Sequence, residues 1–134
     1  MIVRNTELLR GTNRQINSKN WSSTRLLLKD DDLGFSFHET ILHPNTETKI
    51  WYKNHLEAVY CIEGVGEVEE ADGLKHSICP GIIYALDKHD KHILRAFSKM
   101  RMICVFNPAL IGPETHDPEG VYPLLTTGEK NVPK

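Results

Sequence analysis

The sequence predicts an all-β protein, a small barrel or sandwich built as one domain, and three observations carry that prediction. Runs of β-forming residues recur at roughly ten-residue spacing, as in sandwiches and barrels. Almost no stretch between them shows an apolar repeat of helical period. Glycine, alone or as Asp-Gly, punctuates the boundaries between runs. The 134 residues are 40% apolar and 25% charged, and 16 basic against 18 acidic side chains leave a net charge of −2. A chain of this length buries roughly two-thirds of its unfolded surface on folding. It needs no metal or disulfide to fold, so a metal here would serve chemistry.

The elements follow in order. Ile2, Val3, Leu8 and Leu9 predict an edge strand and then a short helical turn. Residues 21–28, WSSTRLLL, form the next strand, and Asp30, Asp31, Asp32 and Gly34 supply the turn after it through side-chain-to-backbone hydrogen bonds and a permissive φ. Residues 35–42 alternate Phe35, Phe37, Glu39 and Ile41 against Ser36, His38, Thr40 and Leu42, a period of two. Residues 49–52 and 55–62 are further extended runs, and glycines at 64 and 66 turn the chain into residues 67–70. Asp72-Gly73 is the strongest hairpin signal, because both residues tolerate φ > 0. Strands over 75–78, 82–86, 92–96 and 100–106 complete the set. From Asn107 onward, five of the seven prolines interleave with Gly112, Gly120 and Gly128, and no strand ladder survives so many missing N–H donors. That segment is either a disordered tail or a lid that orders over a site.

Composition and pattern also exclude. Without a basic block there is no footprint for a phosphate backbone, so nucleic acid is not expected as a partner. No apolar run approaches the ~20 residues of a membrane span. The start, MIVRNTELLRGTNRQ, has no continuous apolar region of a secretory signal, which predicts a cytoplasmic protein that binds no membrane. Cys61, Cys79 and Cys104 are odd in number and lack a C-x-x-C pair, so they read as reduced buried thiols.

The chemistry begins at Glu57, followed by Gly64, then Pro80-Gly81, then His92. This spacing resembles the two-motif pattern of the cupins, double-sheet barrels in which a Glu and a later His meet on a metal. The departure is that Trp51 and Lys53 stand where the cupin motif carries two His residues. Tyr84, on the strand leading to His92, can complete the set, since a phenolate is a hard anionic ligand suited to iron. On the run from His55 to Cys61, strand geometry places His55, Glu57, Val59 and Cys61 on one face. On the last strand Met102, Cys104 and Phe106 share a face. Glu57 among Leu56, Ala58 and Val59 reads as a buried carboxylate wanting a cation. His89 reads as solvent-exposed.

Trp21 with Thr24-Arg25-Leu26, FSFHET over 35–40, YKNHLEAVYCIEG over 52–64, DKHDKH over 87–92 and CVFNP over 104–108 resemble the ectoine synthase family, over the chain as far as about Tyr122. The resemblance implies a cupin-type barrel (a double-sheet jelly roll) over residues 1–110 and a flexible Pro/Gly-rich lid or tail over 111–134. It implies Fe2+ held by Glu57, Tyr84 and His92, and proton transfer by Tyr52, His55, Glu114 and His116. Trp21, Arg25, Thr40, Cys104 and Phe106 would bind the substrate, N-γ-acetyl-L-2,4-diaminobutyrate, which closes to ectoine with loss of water. A homodimer and a part in the osmotic stress response are implied as well. Two alternatives belong to other classes: a metal-free cupin-type module that binds a small polar ligand, and an iron dioxygenase. The missing His pair argues against the dioxygenase.

Overall fold

The computed structural model describes residues 1–125 of the chain. Two antiparallel sheets pack face to face. The larger runs in the order β1 (Gln15–Asn17), β2 (Trp21–Leu27), β3 (Ser36–Leu42), β10 (Met100–Asn107), β5 (Leu56–Glu63), β8 (Ile83–Leu86). The smaller runs β4 (Thr46–Ile50), β9 (His92–Ala96), β6 (Gly66–Glu70), β7 (Lys75–Ile78). The expected all-β double-sheet barrel is thus observed, and helix among the described residues is confined to the four-residue α1 (Thr6–Leu9) and one 3-10 turn over Lys29–Asp31.

Burial alternates with period two where the sequence alternates. Along β10, Met100, Met102, Cys104 and Phe106 are buried, and along β5 it is Glu57, Val59 and Cys61. Leu94 and Ala96 of β9, Val68 of β6 and Ile50 of β4 answer them from the smaller sheet. β3 inverts the usual hydrophobic order. Ser36 and His38 face inward and are buried, while Phe35 is partly exposed on the outside. A polar row therefore points into the barrel, which a purely structural core has no reason to contain.

Gly64 lies at φ +91°, and a Cβ there would sit 2.2 Å from the Lys99 carbonyl oxygen, so the turn ending β5 admits only glycine. The Asp72-Gly73 hairpin between β6 and β7 is present, but only Gly73 has φ > 0. Its N–H donates to the Glu70 carbonyl, closing a longer loop than the two-residue turn expected.

Two further expectations are corrected. Ile2 and Val3 form no strand; they are exposed, and the chain goes directly into α1, capped by the Asn5 side chain accepting from the Glu7 N–H. Cys79 is exposed at the turn before β8, whereas Cys61 and Cys104 are buried thiols as expected. The segment after Asn107 carries no strand, as its prolines required. Its described part nevertheless packs closely: Leu110, Ile111, Val121 and Tyr122 are all buried. Gly120 (φ +79°) approaches β4 so closely that a Cβ would lie 2.2 Å from the Lys49 carbonyl oxygen, and its own carbonyl accepts from the Trp51 N–H. Residues 126–134 of the expected tail lie outside the described residues.

Candidate active site

Strand register assembles the site. One row crosses the inner face of the larger sheet from Arg25 to His38, Cys104, Val59 and Tyr84, each residue directly opposite the next. The adjacent row pairs Phe106 with Glu57. Directly paired residues of antiparallel strands project to the same side, so these side chains converge on a cavity between the sheets. Tyr52, Glu57, Tyr84 and His116 line it together with Thr40, Cys104 and Phe106, and Trp21 closes one side. Arg25, His55, His92 and Glu114 are as deeply buried but do not line this cavity.

Burial decides the charge states inside. The carboxyl of Glu57 is pushed up to about 8 by burial, with the Cys104 thiol beside it acting weakly the other way. The phenols of Tyr84 and Tyr52 are raised well above their ordinary value by burial, and next by Glu57 and Tyr122 respectively. Burial lowers His92, and it depresses His38 further with help from Arg25. The cavity thus holds protonated acids and neutral imidazoles, the state a low-dielectric interior imposes on groups without a counter-charge.

The donor set fits a metal. His92 Nδ1 lies 2.9 Å from the Asp90 carbonyl oxygen, an acceptor only, so Nδ1 carries the proton and Nε2 presents a lone pair. That Nε2 is buried and has no hydrogen-bond partner. The Tyr84 and His92 rings lie 6.5 Å apart, edge to face, and Tyr84 stands two residue pairs along the β5–β8 ladder from Glu57, on the same face. Among the described residues no three His, Cys, Asp or Glu side chains cluster at metal-binding spacing. A donor set here would have to draw on another residue type, such as the phenol of Tyr84.

A second group of contacts joins the tail to the barrel. The Tyr52 hydroxyl lies 2.8 Å from His116 Nε2. His116 packs edge-on to Trp21 and against Tyr122 at 4.5 Å between centroids. Tyr122 stacks on Tyr52 at 5.0 Å and accepts a long hydrogen bond from Arg25 Nη2 at 3.4 Å. Burial holds His116 down at about 4, so it is neutral, and in the tautomer protonated at Nδ1 its Nε2 accepts from the Tyr52 hydroxyl. Glu114 is buried and accepts from the Ile111 and Gly112 N–H groups at 2.8 Å each, with Arg25 Nη1 at 3.9 Å. Arg25 Nη1 in turn donates to the Gly112 carbonyl at 2.7 Å. In this arrangement Arg25 and Glu114 hold the turn that brings the tail over the cavity.

Sequence reasoning missed His38 and Tyr122. His38 is 1% exposed, lines the cavity and has an unpartnered Nε2. The signal was available, since the period-two pattern of β3 puts His38 on the same face as Thr40. Tyr122 had no such signal, because it sits in a coil with no period. His89, read as exposed, is so, and its Nδ1 lies 2.8 Å from the Tyr52 carbonyl oxygen.

Comparison with known proteins gives the site a family. The ectoine synthase family model matches residues 1–126. The chain is 62% identical to the L-ectoine synthase of Hahella chejuensis over 125 residues, covering 92% of this chain and 95% of that one. It is 60% identical to that of Halalkalibacterium halodurans over 116 residues, 86% and 90% of the two chains. Among solved structures, the ectoine synthase of P. lautus superposes with a TM-score of 0.86 at 58% identity, covering 93% and 91%. A cupin domain of a transcriptional regulator from Enterobacter cloacae shares the fold alone, at 19% identity, TM-score 0.57 and 66% and 97% coverage. The chain belongs to the ectoine synthase family of cupin-fold enzymes.

Proposed function

We propose that the cavity between the sheets closes the ring of N-γ-acetyl-L-2,4-diaminobutyrate to ectoine, in the cytoplasm, with Fe2+ as cofactor. Family membership makes the chain an ectoine synthase, a hydro-lyase. The substrate, the metal and the residue roles are the finer reading. In that reaction the 2-amino nitrogen attacks the acetamide carbonyl carbon. A C–N bond forms, and the former carbonyl oxygen leaves as water after taking up two protons.

Glu57, Tyr84 and His92 would hold the ion, which when bound supplies Lewis acidity toward a carbonyl oxygen. The observation that carries this reading is the buried, unpartnered Nε2 of His92, whose ring lies 6.5 Å from the Tyr84 ring, together with the protonated carboxyl of Glu57 on the same sheet face as the protonated phenol of Tyr84. A bound cation would draw both protons off, which turns three costly buried groups into ligands.

The chain's other residues divide the remaining work. Tyr52 and neutral His116, 2.8 Å apart, are suited to pass a proton, the imidazole receiving what the hydroxyl releases. His55, with its unpartnered Nδ1, is a second neutral base within the same layer. Trp21, Phe106, Thr40 and Cys104 shape the wall that curls the substrate, and positioning alone can contribute several kcal/mol. Arg25 and Glu114 act through the tail they hold. Packing of Trp21, Tyr52 and Tyr122 around His116 excludes water from the reacting centre.

The sequence has no G-x-G-x-x-G fingerprint for a dinucleotide, and the donor set lacks the histidines of a dioxygenase site. The test is anaerobic incubation of purified protein with Fe2+ and the acetylated diamino acid. Formation of ectoine at the aerobic rate supports the reading. No product, or product only with dioxygen and a consumed co-substrate, overturns it. The homodimer is tested by the mass of the protein in solution.

A further inference from the structure

The two sheets leave a second opening at the corner where β7, the edge of the smaller sheet, faces β8, the edge of the larger one, since these two strands share no ladder. A cavity at this corner is lined by Glu70, His76, Asp87 and Asp90 at its outer part and by Tyr84 and His92 at its inner part. Tyr84 also lines the main cavity, so the phenol stands in the wall between the two.

The residues at the mouth are oriented by register. Glu70 lies directly opposite His92 across the β6–β9 ladder, and His76 lies opposite Val68, whose side chain is buried against the core. Glu70 and His76 therefore project inward from the sheet edge on the side that carries His92. They meet there, Glu70 Oε2 and His76 Nε2 being 2.6 Å apart, and both side chains remain close to half exposed. The nearby Lys91 turns away and lies over the Trp51 ring at 5.1 Å.

The acidic mouth alone would be only a solvated rim. What gives it direction is His92, 3% exposed, whose unpartnered Nε2 belongs to the side chain that ends this cavity. By contrast, the main cavity is covered by Trp21, His116 and Tyr122, and the groove outside it sets Lys19 and Lys49 against Glu47 and Asp117. That groove carries no excess of either sign, whereas the corner cavity is lined by the carboxylates of Glu70, Asp87 and Asp90, and a cleft lined by one sign of charge concentrates counter-ions.

We infer that the corner cavity between β7 and β8 is a metal-loading port, in which Glu70 and His76 capture a divalent cation and pass it to His92 and Tyr84, while substrate enters from the opposite side under the tail. The inference rests on the proposed ligand set. Glu70 and His76 are transit donors and take no part in the loaded site. Passage requires the His76–Glu70 contact to open, which its exposure permits.

The experiment measures anaerobic uptake of Fe2+ by the full-length, chelator-stripped protein, with samples quenched by chelator over time and their bound iron counted. Glu70→Gln with His76→Gln should slow uptake at least fivefold, yet reach the same final iron content and the same turnover. Raising ionic strength should slow the unaltered protein toward the variant, whose own rate should respond little. Lys19→Gln, in the groove outside the main cavity, should leave uptake unchanged. Unchanged uptake in the double variant with full iron content overturns the port alone. A final iron content that falls along with the rate also overturns it, because Glu70 and His76 would then be ligands. An unaltered protein that binds no iron overturns the ligand set and the port together.

Discussion

The cavity is walled by two regions of opposite construction. On one side stand β5 and β10, paired residue for residue over most of their length, so that Glu57, Cys104 and Phe106 are held by backbone ladders. On the other side lies the segment from Pro108 to Tyr122, which has no ladder and is held at points: Leu110 N–H on the Ser36 hydroxyl, Glu114 on its own turn, Gly120 on Trp51, and His116 on Tyr52. A ladder places a side chain through many equivalent bonds, and loss of one changes little. A point-held coil loses its position when one anchor goes. The strand wall should therefore fail chemically while staying folded, and the coil wall should fail structurally.

The largest effect is expected from the strand wall. Tyr84→Phe, Glu57→Ala or His92→Ala each should remove most bound iron and lower turnover by orders of magnitude, with the far-ultraviolet spectrum and the melting temperature of the iron-free protein nearly unchanged. Tyr84→Phe is the sharpest of the three, since it keeps the ring and deletes only the oxygen. Full iron content in that variant would remove Tyr84 from the ligand set.

Truncation after Asn107 is next. A tail free of the barrel would leave stability untouched when removed, but here Leu110, Ile111, Val121 and Tyr122 bury their side chains, at about 1.5–3 kcal/mol for each fully buried one. The truncated chain should lose both turnover and several kcal/mol of stability in a urea melt. A truncated protein that melts like the full chain would show the tail to be superficial. Glu114→Ala asks the same of one anchor. It frees two buried N–H groups and leaves Arg25 without its carboxylate, at a cost of about 3 kcal/mol, and limited proteolysis should then cut within residues 108–122.

This contrast also explains what could be read from the sequence. Strands over β3, β5, β9 and β10 were legible because their side chains alternate, and that alternation fixed the inward faces of Glu57 and Cys104. Tyr84 was reached as a phenolate that could complete the pair of Glu57 and His92, and family resemblance assigned it, because a tyrosine in a strand carries no local mark of a ligand. The packing of the tail was not legible at all. Proline and glycine density excludes strands, but it does not distinguish a loose chain from one pinned by a few side chains. The pinning contacts, such as Arg25 to Gly112, join residues far apart in sequence. The corner lined by Glu70 and His76 was hidden for a related reason, since no periodicity reports the absence of a ladder between two edge strands.

pH separates the two walls by a smaller effect. Burial, aided by Arg25 and His92, depresses His116 from its ordinary 6.5 to about 4. Between those values the unfolded chain takes up a proton that the folded one refuses, so this contribution is complete above pH 6.5 and is lost as pH falls toward 4. The loss is on the order of 2 kcal/mol at pH 5 and 3 kcal/mol at pH 4. Urea melts at pH 7 and pH 5 should show the drop in the unaltered protein and a shallower one in His116→Gln. Equal slopes would mean that the tail already leaves His116 in water.

The smallest change is Tyr52→Phe, which removes one oxygen at the meeting point of the two walls. The ring keeps its stacking on Tyr122 at 5.0 Å and its edge contact with Phe106 at 5.1 Å, so packing survives. What is lost is the 2.8 Å hydrogen bond to His116 Nε2. The imidazole remains buried with an unsatisfied acceptor, at about 1 kcal/mol, a few degrees in melting temperature for a domain of this size. Turnover should fall far more than stability if Tyr52 and His116 handle the proton together. His116→Gln should then reduce turnover to a similar level, and the double variant should be little worse than either single one, because two halves of one relay cannot be lost twice. Multiplied losses in the double variant would instead assign the two residues to separate tasks, with the contact between them serving only to seat the tail.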